Sequence, residues 1–583
     1  MTMMIKIDSA KLLRIFKKTW EFLDKDERKK GICIALLMVV GTAFEVVSLG
    51  ALLPLLNSFL TGTSGMIPVP HFAYKSQNQD LVIFVIIGFI ILIFGLKEAV
   101  LLINLWLQSR FVSRLETRYQ SELFNQYTKE SYTFHISSNS SQLTRDILDA
   151  SNFARDIVDP LLYLFSNGLT VLAFSVVLIA LDPTVIGITI SVVFFVTFIF
   201  SIFTRQRISA WGLDRQQFNA QRIKQINEAF LNIKEIIVSN RGDFFRSRFA
   251  TNAEELSLIS SKFVTINGMS ILYLEFVAIV GMSSVVVAGV LMGRTPQSYV
   301  PTLGIFAVAS FRLMPCLSRI TNAIQSLRMG EPIIERLEKS SIKSTSRSTE
   351  IIVNSEIVFL NSIEFKNVCF TYPNSNKPAL QDVNLQIKKG SLTGIVGKSG
   401  VGKSTTIDVL MGLLKPSSGL VTVDGQDIYQ NIFSWRKKIG YVSQVVTMID
   451  DSIMRNVTLG LSDSEIDRGR LYEAVKIAEL EELIESLTHG IDTIIGERGV
   501  KLSGGQRQRI GIARALYSAP PIYVLDEATN ALDELTEERV LTGIRSRHKD
   551  DTIFIVTHRQ SALVNCTQII SIDDEQKITI ANN

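Results

Sequence analysis

The sequence predicts a helical membrane domain of six spans followed by an α/β nucleotide-binding domain. Hydrophobic residues make up 47% of the chain and the mean hydropathy is +0.25, values typical of membrane proteins. Six apolar runs lie in the first part of the chain. The remainder carries a phosphate-binding loop between a predicted strand and a predicted helix, which is the context that this loop requires.

The overall composition sets broad limits on partners. A net charge of +4 gives no reason to expect a nucleic-acid partner. The four cysteines lie far apart and predict neither a zinc site nor a disulfide framework. Residues 1–30 have no signal-peptide core and mix apolar with basic positions, which predicts an amphipathic helix on the inner membrane surface. An ordinary soluble helix is the alternative.

Each apolar run approaches or exceeds the roughly 20 residues that a helix needs to cross a bilayer. The predicted spans are 31–60, 81–107, 157–181, 185–203, 263–292 and 300–317. The connections 61–80 and 293–299 carry a single Lys or Arg each, whereas 108–155 and 205–262 are rich in both. Basic loops stay in the cytoplasm, so we expect the N-terminus and everything after the sixth span to be inside.

The two long basic loops have helical periodicity, so spans two to five are expected to continue into the cytosol as helical rods. A run rich in Ser and Thr then separates the membrane part from a segment in which short strands and helices alternate. The predicted domains are an amphipathic segment 1–30, a transmembrane domain 31–338, a linker 339–350 and a nucleotide-binding domain 351–583.

The phosphate-binding loop runs from Gly397 to Ser404 and fits the pattern G-x-x-x-x-G-K-[ST]. Its glycines let the backbone wrap a polyphosphate, and the following helix start supplies free N–H donors. We expect Lys403 to reach the β- and γ-phosphates of ATP and the Ser404 hydroxyl to bind Mg²⁺. The candidate nucleotide-binding residues of this segment are Gly397, Ser399, Gly400, Gly402, Lys403, Ser404 and Thr405.

A second segment supports nucleotide chemistry. The apolar run 521–525 predicts a buried strand and ends in two carboxylates, Asp526 and Glu527. At the end of a strand beside the phosphate-binding loop, Asp526 can hold Mg²⁺, and Glu527 can polarise the water that attacks the γ-phosphate. Two acidic residues at a strand end are common, so this interpretation depends on the loop at Gly397–Ser404.

The segment Leu502-Ser503-Gly504-Gly505-Gln506 resembles the signature motif of the ATP-binding-cassette (ABC) ATPases. The resemblance extends to further motifs and implies roles for their residues. Tyr372 matches the aromatic that stacks on adenine, Gln444 matches the glutamine that senses Mg²⁺ and water, and His558 matches the histidine that contacts the γ-phosphate. Asn530 stands where the family usually has serine, in the loop after the acidic strand.

In this family the signature motif caps the nucleotide held by a second cassette, so Ser503, Gly504, Gly505 and Gln506 are expected to complete a site in another subunit. The chain has one cassette, and a homodimer is the economical expectation, with a heterodimer as the alternative. Six spans fused ahead of a cassette resemble the type IV ABC exporters. The resemblance implies short helices near 132–142 and 241–250 that dock on the cassettes.

Charged residues inside the apolar spans bear on the substrate, because charges in a membrane are costly and often functional. They are Glu45, Lys97, Glu98, Glu275 and Arg312. One hypothesis is a cationic cavity that binds an anionic headgroup such as a pyrophosphate, with Lys97, Arg312 and Arg319 as candidate residues. The other is internal salt bridges, for instance between Lys97 and either Glu45 or Glu275.

Residues 44–55 and 305–320 are similar to the first and sixth spans of the bacterial flippases for lipid-linked oligosaccharides. That resemblance implicates Arg312 and Arg319 in binding the lipid's pyrophosphate. These flippases carry an external amphipathic helix between spans one and two. Here the corresponding connection is short, and its apolar residues are Met66, Ile67, Val69, Phe72 and Tyr74.

The sequence thus predicts an ATP-driven exporter of the bacterial inner membrane that uses ATP and Mg²⁺ and moves a lipid-linked oligosaccharide or a related polyprenyl-phosphate lipid outward. An exporter of a peptide or drug-like amphipath is the alternative within transport. A non-transporting ABC protein with a regulatory or channel role is the alternative outside it. No nucleic-acid partner is expected.

Overall fold

A computed structural model describes residues 2–61, 79–181, 183–291, 293, 296–339, 356–373, 375–547, 550–573 and 578–582. The short connection between spans one and two, with the apolar residues of an external lipid-guiding helix, lies almost entirely outside these residues. So does the predicted linker, except for its first residue, Lys339, which is the last residue of a helix.

Contacts divide the chain into two compact units. The first comprises residues 1–130 and 138–345, and the second comprises residues 131–137 and 346–583. Six residues of a short helix, Tyr132–Ser137, therefore belong by their contacts to the second unit although they lie between long helices of the first.

The first unit is helical. Its helices, together with the short helix α4 of the second unit, are α1 Thr2–Phe22, α2 Lys25–Thr61, α3 Gln79–Lys129, α4 Tyr132–Ser137, α5 Ser140–Phe153, α6 Asp159–Leu181, α7 Pro183–Leu231, α8 Ile233–Val238, α9 Gly242–Leu291 and α10 Pro296–Lys339. A π-helical turn, Ala154–Val158, joins α5 to α6 without a break. α7 packs along α9, and α6 packs along α10.

Each of the six predicted spans lies on one of the helices α2, α3, α6, α7, α9 and α10. Within the described residues, four stretches are long and apolar enough to cross a membrane, namely Lys25–Ser48, Ile87–Lys129, Ser140–Val177 and Gly242–Ser284. They overlap the first, second, third and fifth predicted spans. Many side chains of the fourth and sixth lie outside the described residues. The helices α3, α7 and α9 have 49 to 51 residues each, far more than a bilayer requires, so the predicted long rods are present.

The predicted short helices of the two inner loops are present, but one position is wrong. The first, predicted near 132–142, is α4, Tyr132–Ser137. The second is α8, Ile233–Val238, which ends before the predicted segment 241–250 begins. At 242 the chain has already entered α9, because Asn240 takes a left-handed φ of 52° and ends the turn after α8.

The part of the second unit that the structure describes contains two sheets and ten strands. The strands are β1 Ser362–Phe370, β2 Leu380–Lys388, β3 Leu392–Gly397, β4 Ser418–Val423, β5 Gln426–Asp427, β6 Ile439–Val442, β7 Ile522–Asp526, β8 Thr552–Val556, β9 Gln568–Ile572 and β10 Ile578–Asn582. A four-stranded antiparallel sheet has the order β2-β1-β4-β5, and a six-stranded sheet has the order β10-β9-β3-β8-β7-β6. In the larger sheet only β10 runs antiparallel to its neighbour.

Helices alternate with these strands along the chain. They are α11 Lys403–Leu410, α12 Ile432–Arg436, α13 Ile453–Val457, α14 Arg468–Ile477, α15 Glu481–Ser486, α16 Gly504–Tyr517, α17 Glu534–Arg547 and α18 Gln560–Val564. Alternate residues of β7 face two different cores. Tyr523 and Leu525 pack with α14 and α16, while Ile522 and Val524 pack toward the antiparallel sheet. Because both faces are buried, the strand is apolar throughout, as the sequence indicated.

Two glycines let the helices of the first unit approach closely. A Cβ at Gly212, on α7, would lie 2.6 Å from the backbone oxygen of Met329, on α10. A Cβ at Gly330 would lie 2.7 Å from the Cδ1 atom of Ile157, in the π-helical turn. Three elements therefore meet at this point with no room for a methyl group.

We expect Gly212→Ala to lower the stability of the membrane unit, because the new methyl group meets rigid backbone and forces α7 away from α10. Overpacking of this kind costs about 1–3 kcal/mol. The measurement is thermal unfolding of the purified chain in detergent. Gly268→Ala, on α9, is the matched control, because a Cβ there has nothing within 4 Å. Equal melting temperatures for the two variants would contradict the close approach.

Candidate functional site

The phosphate-binding loop joins β3 to α11. Gly402, at the N-cap of α11, has a left-handed φ of 111°, and a Cβ there would lie 2.7 Å from the backbone oxygen of Ala379. Only glycine accepts both conditions, so the second glycine of the motif is required by the backbone. Ser399, Gly400 and Ser404 are exposed around this turn, where phosphate oxygens can reach their backbone and hydroxyl groups.

Lys403 is only 8% exposed and turns back over the loop. Its Nζ atom donates to the backbone oxygens of Gly397 at 2.6 Å and Lys398 at 2.9 Å. These carbonyls accept hydrogen bonds from an ammonium that would otherwise be buried without a partner. Phosphate oxygens can take their place, because Lys403 stands at the start of the helix where the predicted phosphates would lie.

The predicted adenine-stacking residue, Tyr372, lies close to the same helix. Its hydroxyl is 3.1 Å from the hydroxyl of Thr405, and its ring packs edge to face on Phe370 with 5.0 Å between centroids. Tyr372 is therefore anchored at its hydroxyl end.

The short helix α4 lies near the same part of the second unit. Burial and the nearby Asp408 and Tyr372 raise the pKa of Tyr132, on α4.

Three side chains converge on the carboxylate of Glu527, which follows β7. Gln444 donates its Nε2 hydrogen to Glu527 Oε2 at 2.7 Å, and Asn530 donates its Nδ2 hydrogen to the same oxygen at 3.1 Å. His558 Nε2 lies 3.8 Å from the other oxygen, Oε1. Three residues that the sequence placed at the site, Glu527, Gln444 and His558, thus meet at one point.

The backbone of Glu527 is also unusual. Its φ is +49°, in the left-handed region that non-glycine residues rarely adopt, and its N–H donates to the backbone oxygen of Val556 on β8 at 3.0 Å. Backbone strain of this kind is found mainly at functional sites, where the surrounding structure maintains it. It turns the Glu527 side chain out of the buried strand and toward Gln444 and His558.

Acidic groups lie close together around Asp526. The pKa of Asp526 is raised, because burial and the adjacent Glu527 outweigh the lowering by Lys403 and by a hydrogen bond from Tyr441. Burial and Asp526 raise the pKa of Asp408 to about 6. A cation bound beside these carboxylates would offset the repulsion between them. The Ser404 hydroxyl, the Asp526 carboxylate and the Gln444 amide oxygen are the hard ligands that Mg²⁺ prefers beside phosphates, so these residues fit the ion.

The predicted signature residues begin α16. Ser503 and Gln506 form a capping box, in which the Ser503 N–H donates to Gln506 Oε1 at 2.7 Å and the Gln506 N–H donates to Ser503 Oγ at 3.2 Å. Gly504 and Gly505 form the first turn. The side chains of Ser503 and Gln506 thus bond to each other, and Ser503 is exposed on this surface.

Two residues at the site were not among our candidates. Asn530 was noted only as a departure from the usual serine, yet it bonds to the Glu527 carboxylate. Arg559 donates to the backbone oxygens of Leu532 at 2.9 Å and Asn530 at 2.8 Å, and it pairs with Glu537 at 3.1 Å. It therefore holds the 530–532 loop against the segment that carries His558. The position of Arg559 directly after His558 is the sequence feature that could have identified it as a residue of the site.

The first unit contains a cavity of about 1180 Å³ between α2, α3, α6, α9 and α10. Arg312 and Arg319 line it, as the hypothesis of a cationic cavity expected, but its described lining residues are not predominantly cationic. Acidic lining residues outnumber basic ones, with Glu45, Glu98, Asp159 and Glu275 against Arg155, Arg312 and Arg319.

The predicted internal salt bridges exist with different partners. Arg312 pairs with Glu45, and Lys97 Nζ lies 2.8 Å from Glu98 Oε1. Lys97 is 3% exposed, lies 4.8 Å from the centre of the Phe94 ring and does not line the cavity. Among the described residues Lys97 therefore pairs with Glu98 and does not line the cavity, and its assignment as a substrate residue stays a prediction.

Comparison with known proteins agrees with this architecture. The family described as "ABC transporter transmembrane region" matches residues 32–313, and that described as "ABC transporter" matches residues 380–530. The chain belongs to the ABC transporter family. The match 32–313 covers α3, α6, α7 and α9, most of α2 and the first part of α10. The match 380–530 contains the phosphate-binding loop, Gln444, the signature segment and Glu527.

The chain is similar to proteins named "ATP-dependent lipid A-core flippase". With that of Vibrio parahaemolyticus it shares 31% identity over 366 residues, 61% of each chain. With that of Cupriavidus pinatubonensis it shares 26% over 475 residues, 80% of this chain and 79% of the relative. The chain thus spans about three fifths of the first of these relatives.

Among solved structures, the transporter is similar to a bacterial Atm1-family ABC exporter with ATP bound. The TM-score is 0.74, with 22% identity and 94% of each chain covered. At this identity the likeness shows the fold, and it confirms the predicted type IV ABC exporter architecture of a helical transmembrane domain followed by an α/β nucleotide-binding domain.

We expect Asn530→Asp to reduce the kcat of ATP hydrolysis while the KM for ATP changes little. The variant keeps the size of the side chain but replaces the donor facing Glu527 with an acceptor. Hydrogen bonds to charged groups contribute about 1.5–3 kcal/mol, so the loss should be about tenfold or more. Steady-state ATPase kinetics in detergent give the measurement. Asn530→Ser, the usual residue of the family, should retain more activity than Asn530→Asp; the reverse order would show that the amide does not orient Glu527.

Proposed function

We propose that this transporter is a homodimeric exporter of the bacterial inner membrane that uses ATP and Mg²⁺ to move a lipid with a large polar headgroup outward. The observation that carries the proposal is the convergence of Gln444, Asn530 and His558 on the Glu527 carboxylate, in a chain whose other unit encloses a cavity of about 1180 Å³. The basic inner loops support a cytoplasmic cassette and N-terminus.

The residues of the cassette have separate roles in ATP hydrolysis. The α11 N-terminus and Lys403 bind the β- and γ-phosphates, and Tyr372 supports the adenine. Ser404, Asp526 and Gln444 would hold Mg²⁺, which neutralises charge that develops on the phosphates. Glu527 accepts a hydrogen bond from the attacking water and orients it, and His558, next to the same carboxylate, contacts the γ-phosphate.

A second copy of the chain completes the site. Ser503 and Gln506 hydrogen-bond to each other at the start of α16, which leaves the exposed first turn with Gly504 and Gly505 able to bind a phosphate from another subunit. No cassette motif in this chain is degenerate, which favours two equivalent sites in a homodimer over a heterodimer.

The substrate proposal rests on the cavity and on the relatives. The relatives are named for lipid A-core, and residues 44–55 and 305–320 resemble the flippases for lipid-linked oligosaccharides; both substrates are lipids that carry a glycan. The cavity offers basic and acidic groups together with the amides of Asn104, Gln108, Asn167 and Asn322, which suit a sugar-bearing headgroup. A lipid-linked oligosaccharide is the finer form of this proposal.

Glu527→Gln should bind ATP with nearly unchanged affinity but hydrolyse it about 10²–10⁴-fold more slowly, because the amide cannot accept the proton from water. The variant should also accumulate as a closed dimer with ATP trapped. ATPase rates, nucleotide retention and size-exclusion chromatography give the measurements. Wild-type turnover in this variant would refute Glu527 as the catalytic carboxylate.

Reconstitution in liposomes tests the transport function. We expect a glycan-bearing polyprenyl pyrophosphate or a lipid A-core glycolipid to stimulate the ATPase and to change leaflet in the presence of ATP, but not in the Glu527→Gln variant. Stimulation by an amphipathic peptide instead would favour the peptide or drug-like exporter. Hydrolysis without movement of any of these substrates would favour a regulatory protein.

A further inference from the structure

Arg312, one of the three cations that the sequence offers for substrate binding, already forms an ion pair with Glu45. The Glu45 carboxylate, 8% exposed, accepts hydrogen bonds at both oxygens, from Arg312 at Oε1 and from the Thr170 hydroxyl at Oε2 at 3.1 Å. The Thr170 hydroxyl is also 3.5 Å from the Thr42 hydroxyl. These contacts join α2, α6 and α10, and all four residues line the cavity.

The two members of the ion pair differ in exposure. The Glu45 side chain is 9% exposed and surrounded by its partners, whereas the Arg312 side chain is 39% exposed and faces the cavity. A buried carboxylate without a counter-charge is costly, and an arginine that reaches water is less so. A ligand in the cavity can therefore approach Arg312 directly, but it must compete with Glu45 for the guanidinium.

We propose that Glu45 determines specificity by competing for Arg312: an anionic phosphate or pyrophosphate group binds in the cavity by displacing the Glu45 carboxylate from the guanidinium. The inference rests on the proposed function and adds a residue to it. Neutral amphipaths cannot displace the carboxylate, so they leave α2, α6 and α10 joined. An anion that takes Arg312 releases α10 from α2.

The cavity itself supplies a second reason for competition. Among the described lining residues the acidic groups outnumber the basic ones, which disfavours anions in general, and Arg319 is a lining cation for which the described residues supply no ion pair. Glu98 is the comparison that separates general repulsion from direct competition. It lines the same cavity and is 66% exposed, but its partner is Lys97 rather than Arg312.

The test measures equilibrium binding of a polyprenyl pyrophosphate to the full chain in phosphatidylcholine nanodiscs. We expect Glu45→Gln to bind it about tenfold more tightly than the wild type, which corresponds to about 1.4 kcal/mol, because Arg312 no longer has a competing carboxylate. Glu98→Gln removes the same charge and should change the Kd by about twofold at most. Equal effects of the two substitutions would reduce the role of Glu45 to general charge and overturn the proposal.

The double variant Glu45→Gln/Arg312→Gln removes the guanidinium without leaving a buried charge unpaired, because two amides that can bond to each other replace the ion pair. It should lose the tight binding of Glu45→Gln. If it binds as tightly as Glu45→Gln, the anion does not use Arg312. Absence of binding in wild type and Glu45→Gln alike also overturns the proposal, because a freed Arg312 must bind the anion.

Competition with inorganic pyrophosphate distinguishes the source of the anion. If it displaces the lipid from Glu45→Gln, the phosphate group alone is recognised; if it does not, the lipid chain contributes, and either result is compatible with exchange at Arg312. Failure of the proposed function is seen separately. Tighter binding by Glu45→Gln without movement of any lipid refutes lipid export and leaves the competition at Arg312 intact. Lipid export with unchanged binding by Glu45→Gln refutes the competition and leaves lipid export intact.

Discussion

Glu527 shows how a single carboxylate can depend on the whole sheet around it. β7 is buried on both faces, so its polar side chains can emerge only after the strand ends. The left-handed backbone of Glu527 is held by the hydrogen bond to Val556 on the neighbouring strand. Because β6, β7 and β8 are parallel neighbours, Gln444, Glu527 and His558 follow their carboxyl ends at one edge. The reactive group is thus oriented by strand order before any ligand binds.

The same physical cost, that of a charge away from water, governs both units. In the cassette, Lys403 satisfies its ammonium on two loop carbonyls, partners that phosphate oxygens can replace. In the membrane unit, Glu45 satisfies its carboxylate on Arg312 and Thr170. In each case the resting partner lies within the chain, and the ligand proposed for the site carries the group that competes with it.

Sequence patterns were sufficient for the elements and for much of the nucleotide site. The loop from Gly397 to Ser404 has fixed spacing, and the apolar run of β7 ends in its carboxylates, so local chemistry placed both. Asn530 and the pairing of Arg312 depend on contacts between distant segments. Glu45 and Arg312 are 267 residues apart. The periodicity of one helix does not predict which charged residue of another helix will face a given residue. α8 was misplaced for a similar reason, since a short amphipathic segment beside a long helix leaves its boundary to the turn at Asn240.

The pairing changes what the intramembrane charges mean. Arg312 alone would make the cavity a permanent anion site, and an anion bound to an arginine with no competing carboxylate would be hard to release. With Glu45 beside it, the free energy of removing Arg312 from its resting partner opposes binding of the anion and favours its departure. An exporter must release what it binds, so a built-in competitor serves turnover as well as selectivity. The acidic excess of the cavity is then consistent with an anionic cargo, because weak binding is what transport requires.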